Sequence, residues 1–223
     1  TSQLSADFYI YVLNSSGGAN WSSNASIASS IVVVNKGSVA LNLLFNGTSN
    51  ANKTYTYPNS VNSTGSINST SNSEFNLSLY RDGVIVNTTT AENFATENIG
   101  LGNATYNYTV LFTGNANYSD ALKNFFVIVN KGVINGTMTA SNVTYSGAVN
   151  VVPQQSNNPR ASDVNFTLWR NTTLVSSSLG SAPSADTTLL GVAAYSYVFN
   201  STGTSTNWTI NSSILTIPTV VVS

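Results

Sequence analysis

The chain repeats itself, and that repeat constrains its fold more than any other feature. Tyr106-Asn107-Tyr108 is followed by Gly114 and then Asn117-Tyr118-Ser119. The same spelling stands near the N-terminus as Tyr9-Ile10-Tyr11, Gly17 and Asn20-Trp21-Ser22, and near the C-terminus as Tyr195-Ser196-Tyr197, Gly203 and Asn207-Trp208-Thr209. A constant shift of 97 relates the first two copies from Leu4/Leu101 through Ser22/Ser119. Val34-Asn35-Lys36-Gly37 returns as Val129-Asn130-Lys131-Gly132, a shift of 95. From Asn46-Gly47-Thr48/Asn135-Gly136-Thr137 to Gly114/Gly203 the shift is 89, so six residues are deleted just after the second junction. A fixed period means one supersecondary unit used repeatedly. The repeat predicts full units at 37–131 and 132–223, preceded by residues 1–36, which read as the last hairpin of such a unit.

Local patterns make each unit all-β. Asn76-Leu77-Ser78-Leu79-Tyr80-Arg81-Asp82 corresponds to Asn165-Phe166-Thr167-Leu168-Trp169-Arg170-Asn171. Side chains alternate along a strand, so Phe75, Leu77 and Leu79 share a core face, as do Val164, Phe166 and Leu168, while Asn76 and Asn165 face solvent. Asp82-Gly83 signals a tight hairpin. Phe8–Leu13 and Ala28–Val34 read as two strands around a Gly17-Gly18 turn. Tyr106 and Tyr108 share a face, and Leu101-Gly102 and Leu190-Gly191 precede the tyrosine pairs at equal spacing. That pattern resembles a tyrosine corner, in which a hydroxyl bonds the nearby backbone. Tyr118, Trp208 and Trp21 are expected to pack back on a sandwich edge. Segment 46–73 reads as a long loop or as weak edge strands around Tyr55 to Pro58, and 153–162 as loop. No stretch has a helical period. The expected fold is therefore all-β: tandem immunoglobulin-like β-sandwiches of about seven strands, preceded by an incomplete N-terminal β-hairpin.

Composition removes most chemistry. There is no His and no Cys, and charged residues are 7% of the chain, against roughly 25% in an average soluble protein. Histidine triads, His/Cys metal sites and phosphate loops are absent. The near-zero net charge does not suit nucleic acid. Glu92 and Glu97 are the closest pair of Glu, and nothing in the sequence points to a paired-carboxylate site there. No cofactor, metal site or catalytic residue is expected. Lys36 and Lys131 occupy one repeat position; a Lys–Asn isopeptide bond is conceivable there, but an exposed turn is the favoured reading, since Lys is almost never fully buried. No apolar run reaches the ~18–20 residues of a membrane helix. Thr1 is not an initiator Met, which points to a mature or excised segment.

Asparagine supplies what charge does not. Of 32 Asn, 19 stand in Asn-X-Ser/Thr, where chance would give about nine. These candidate glycosylation sites are Asn14, Asn20, Asn24, Asn46, Asn52, Asn62, Asn68, Asn76, Asn87, Asn103, Asn107, Asn117, Asn135, Asn142, Asn165, Asn171, Asn200, Asn207 and Asn211. The motif implies surface exposure in a secreted protein.

Leu-Gly-X-X-X-Tyr-X-Tyr, Gly114 to Ser119 and Val-Asn-Lys-Gly together resemble the tandem immunoglobulin-like repeats of archaeal cell-surface glycoproteins of the filament, thread or S-layer type. The resemblance implies an extracellular, heavily N-glycosylated, non-catalytic chain. The expected partners are copies of itself or neighbouring repeats, joined by β-edge pairing or strand complementation, plus covalent N-linked glycans. No nucleic acid and no direct membrane span are expected. The expected role is a structural subunit of a surface filament or sheath. The alternatives are an adhesin or carbohydrate-binding module using Trp21, Trp169 or Trp208, and spacer repeats of a larger surface protein.

Overall fold

The computed structural model describes residues 3–67, 75–90, 94–156 and 161–223, and within them the chain forms strands, turns and loops but no helix. It divides into two compact units. One comprises Thr1–Lys53, Val61–Ile99 and Tyr106–Val127; the other comprises Thr54–Ser60, Gly100–Thr105 and Ile128–Ser223.

Strands β1 (Asp7–Ser15) and β2 (Asn24–Val34) pair antiparallel as a sheet of their own, with Phe8 opposite Val33 and Ile10 opposite Ile31. Then come β3 (Leu41–Phe45), β4 (Thr48–Ser49), β5 (Lys53–Thr56), β6 (Ser60–Ile67), β7 (Asn76–Arg81), β8 (Val84–Thr90), β9 (Phe94–Gly100), β10 (Ala104–Phe112) and β11 (Ala121–Asn130). They build two sheets, ordered β5-β11-β10-β7-β8 and β4-β3-β6-β9. The split is that of an immunoglobulin-like sandwich, in which the last two strands and the third share one sheet. Phe75, Leu77 and Leu79 are buried as the alternation predicts, and Tyr108, Val110 and Phe112 meet them from β10.

The second sandwich repeats the plan with β12 (Gly132–Val133), β13 (Gly136–Thr139), β14 (Val152–Gln155), β15 (Asn165–Arg170), β16 (Thr173–Leu179), β17 (Ala193–Thr202), β18 (Trp208–Thr209) and β19 (Leu215–Val222). Its main sheet runs β16-β15-β17-β19. Val164, Phe166 and Leu168 are buried there beside Tyr197, Phe199, Val220 and Val222. Asp82 and Gly83 both take positive φ at the β7–β8 turn, the geometry that an Asp-Gly hairpin favours.

Of the two readings of 46–73, weak edge strands around Tyr55 are met in part by β5 at the edge of its sheet, while the loop readings of 46–73 and 153–162 are corrected. Within 46–73, β6 is a core strand with Val61, Ser63, Gly65 and Ile67 facing inward. Its inward positions carry Ser and Gly because neighbours already fill the space: a Cβ on Gly65 would lie 2.6 Å from Val110 Cγ2. A hydrophobicity pattern cannot register such a strand. Within 153–162, β14 pairs with β13 and buries Pro153. Residues 68–74 and 157–160 lie outside the described residues.

Candidate functional site

Each sandwich holds a polar trio, buried at its tyrosine and partly exposed at its arginine, that sequence reasoning missed. In the first, the Tyr108 hydroxyl donates to Glu97 Oε2 at 2.7 Å, and Arg81 forms an ion pair with Oε1 of the same carboxylate. In the second, the Tyr197 hydroxyl donates to Asp186 Oδ2 at 2.8 Å and Arg170 donates to it at 2.6 Å. All three positions are related by the 89-residue shift, including Glu97/Asp186, whose match was the one signal that could have exposed the trio. Burial, followed by the hydrogen bond to the carboxylate, pushes both Tyr108 and Tyr197 up to about 12. Burial pushes Asp186 upward, but bonds from Thr188 and Tyr197 together with Arg170 outweigh it and hold the carboxyl below its ordinary value. These carboxylates are occupied by structural bonds. Glu92 lies outside the described residues, so the Glu92/Glu97 pair is not described.

Tyr9 and Tyr195, each the first tyrosine of its pair, make a corner bond to the nearby backbone. Tyr195 donates to the Gly191 carbonyl at 3.0 Å, and Tyr9 does the same to Ser5 at 2.9 Å.

The loop after each tyrosine pair is a socket for the Val-Asn-Lys-Gly junction. Lys36 Nζ donates to the Asn115 carbonyl at 2.6 Å, the Gly37 N–H to the Asn117 carbonyl at 2.9 Å and the Ser119 N–H back to the Gly37 carbonyl at 3.0 Å. Equivalently, Lys131 Nζ donates to the Ser205 carbonyl at 2.6 Å and Gly132 N–H to the Asn207 carbonyl at 2.9 Å. The ring lies on the glycine: a Cβ on Gly132 would sit 2.6 Å from the Trp208 ring, which would have to move, and one on Gly37 would make a tight 3.1 Å contact with that of Tyr118. Trp208 is 1% exposed and edge-on to Tyr57, and Tyr118 packs on Phe75. Both lysine tips thus bond to backbone carbonyls.

The N-terminal copy departs from this. Trp21 is 82% exposed at the hairpin tip, which corrects the expectation that its ring packs on a sandwich edge: among the described residues β1 and β2 pair only with each other, and the side chains on both their faces are largely exposed. Tyr11 is 51% exposed where Tyr108 is buried. The other face is equally open: Phe8, Ile10, Val12, Ile31 and Val33 are all exposed. The positions matching Phe8, Ile10 and Val12 in the first sandwich are Thr105, Asn107 and Thr109. A strand that is apolar on both sides is built to be covered on both sides. Trp169 is half-buried and donates its indole N–H to Thr167, and Trp208 is buried, so Trp21 is the exposed ring of the three.

The sequon asparagines separate by which side-chain atom they commit. Asn14, Asn20, Asn24, Asn46, Asn52, Asn62, Asn76, Asn135, Asn142 and Asn171 are exposed; Asn87, Asn103, Asn107, Asn117, Asn165, Asn200, Asn207 and Asn211 are half-buried; Asn68 lies outside the described residues. Asn24, Asn52, Asn142 and Asn171 accept backbone N–H groups through Oδ1, leaving the nitrogen that would carry a glycan out of the bond. Asn87, Asn103 and Asn165 instead donate from Nδ2, to Thr96 and Val129 carbonyls and to the Thr202 hydroxyl. For Asn165 this corrects the expectation of a freely solvent-facing side chain.

No family model matches the chain. No curated protein matches it either. Among solved structures it is similar to the fibronectin(III)-like modules of Clostridium thermocellum CbhA, at 10% identity over 81% of this chain and 93% of that one, TM-score 0.32. It is also similar to a chimeric titin Z1Z2 carrying a decorin peptide, at 14% identity over 73% and 90%, TM-score 0.32. A third is the central fibronectin-III array of RIM-binding protein, at 14% identity over 65% and 53%, TM-score 0.26. The chain is an array of immunoglobulin-like β-sandwich modules on the strength of its own strand order and internal repeat.

Proposed function

We propose that this chain is a structural subunit of an extracellular, heavily N-glycosylated surface filament or sheath of archaeal type. It is organised as hairpin 1–36 and sandwiches 37–131 and 132–223, and it assembles through its N-terminal hairpin. One observation carries the reading: β1 and β2 pair only with each other among the described residues and expose apolar side chains on both faces. Monomeric proteins rarely leave large contiguous apolar patches in water, and such a patch marks an interaction surface. Unpaired strand edges add a second tendency to associate. The sandwiches serve as rigid spacers, non-catalytic in this reading, because the Glu97 and Asp186 carboxylates are each held by a Tyr and an Arg. A glycan coat on the exposed sequons supplies the solubility that 7% charge does not.

The test is electron microscopy of native material beside the recombinant chain, with Ile10→Asn/Ile31→Asn as the assembly variant. Periodic filaments or sheets that vanish in the variant, while its circular dichroism stays β-type, support the reading. Isolated rods in native material overturn it, and glycan binding by those rods would favour the adhesin alternative.

A further inference from the structure

The two complete sandwiches act as templates for what the open hairpin lacks. In both, the tyrosine two positions into the motif pairs across the sheet with an arginine: Tyr108 stands opposite Arg81 and Tyr197 opposite Arg170. In both, a carboxylate from outside that sheet receives the hydroxyl. One strand turn further, Val110 stands opposite Leu79 and Phe199 opposite Leu168. In both, the loop aromatic covers a Lys-Gly junction. The hairpin carries the matching positions as Tyr11, Leu13 and Trp21, all of them exposed.

We infer that the inner face of the hairpin, the one bearing Tyr11 and Leu13, is completed by a partner of defined chemistry: the remainder of an immunoglobulin-like sandwich of this same repeat type, lacking its own closing strand pair. That partner places an antiparallel strand beside β1 with arginine opposite Tyr11 and a large aliphatic residue opposite Leu13. It sets a carboxylate against the Tyr11 hydroxyl and seats a Lys-Gly junction under Trp21. A second folded copy does not supply this strand from its sandwiches, because β7 is already flanked by β8 and β10, and β15 by β16 and β17. The inference rests on the assembly reading above and names its partner; the outer face of the hairpin is a separate contact.

The chain has no cysteine, so a disulfide can report the register directly. Residues directly opposite in an antiparallel pair have Cα atoms about 4.5–5.5 Å apart, within reach of a disulfide. The full chain carrying Tyr11→Cys or Leu13→Cys is mixed, in a thiol-redox buffer, with a synthetic peptide of this chain's residues 164–188 carrying Arg170→Cys or Leu168→Cys. The expected result is preferential coupling, tenfold or more, of Tyr11→Cys with Arg170→Cys and of Leu13→Cys with Leu168→Cys. Equal coupling in all four combinations overturns the inference, as does homodimer formation by the Tyr11→Cys chain in preference to any peptide. Because an isolated peptide can fail to fold onto the hairpin, a photo-crosslinker at position 11 of the native assembly gives an independent reading. Recovery of a strand with an arginine at the crosslinked position supports the inference, and a strand without one overturns it. Filaments in the microscope combined with the wrong crosslinked strand would sink this inference alone and leave the assembly reading standing.

Discussion

Tyr197 donates its hydroxyl proton to Asp186 across 2.8 Å, and the side chain of Asp186 is 1% exposed. Arg170 reaches the same carboxylate at 2.6 Å while keeping 20% of its own side chain in contact with water. Removing one member of a buried ion pair strands the other charge. Asp186→Ala is expected to lower unfolding stability by about 3 kcal/mol, the low end for a buried pair because the guanidinium retains some hydration. Glu97→Ala should cost less, since Glu97 is 13% exposed. Urea unfolding of both variants checks the order, and a larger loss at Glu97 would contradict it.

Acid should erase the advantage of Asp186. Its carboxyl is held below the ordinary value of 3.8, so the stability it contributes is fully present above that value and is lost as pH falls through the folded-state value. The difference in unfolding free energy between the native chain and Asp186→Asn should be flat near neutrality. It should shrink below about pH 4, where the unfolded-state carboxyl begins to take up its proton. A difference that stays constant into strong acid would rule out the linkage.

The alkaline side has the opposite sign. Tyr108 and Tyr197 are pushed from 10.0 to about 12, so their contribution is complete below pH ~10 and is lost as pH rises through about 12. Absorbance of phenolate near 295 nm should show two tyrosines ionising last, in step with unfolding. Tyr108→Phe and Tyr197→Phe should each remove one of them.

Glycines beneath rings and methyls should not tolerate a methyl group. Gly132→Ala would bring a Cβ to 2.5 Å from the Tyr57 carbonyl oxygen and 2.6 Å from the Trp208 ring, and Gly65→Ala would meet Val110. Overpacking of this kind costs about 1–3 kcal/mol. A methyl group on Gly18 would have no neighbour within 4 Å, so Gly18→Ala should be near neutral. Thermal melts of the three variants separate these outcomes.

Glycan occupancy should follow the hydrogen bonds. An N-glycosidic bond replaces one of the two hydrogens on Nδ2, and Asn103 and Asn87 donate from that same atom to backbone carbonyls, which holds the nitrogen against the protein where a glycan must leave it. Glycopeptide mass spectrometry of native material should find Asn24, Asn52, Asn142 and Asn171 occupied and Asn87 and Asn103 bare. Full occupancy at Asn103 would contradict the geometry.

Much of this architecture was legible because it is local. The alternation through Phe75-Leu79 and Val164-Leu168 identifies two core strands with no knowledge of their neighbours, and Asp82-Gly83 announces its turn. The strand at Ser60–Ile67 was not legible, because its inward positions are small and its place in the core depends on Val110 from another strand. Asp186 and Glu97 were passed over for a similar reason. A carboxylate that meets a Tyr 11 residues onward and an Arg 16 residues back leaves no trace in side-chain alternation, only the match of Glu97 to Asp186 at the 89-residue shift.

By itself, then, the sequence determined the repeat, the all-β character and the places where the chain turns, since these follow from side-chain alternation and backbone preference. Only the tertiary structure decided what each repeated residue does. Asn20-Trp21 and Asn207-Trp208 share a spelling, yet one ring stands 82% exposed and the other 1%. Burial depends on what packs beneath the ring: Trp208 has Gly132 and Tyr57 under it, whereas the strands that lead to Trp21 pair, among the described residues, only with each other.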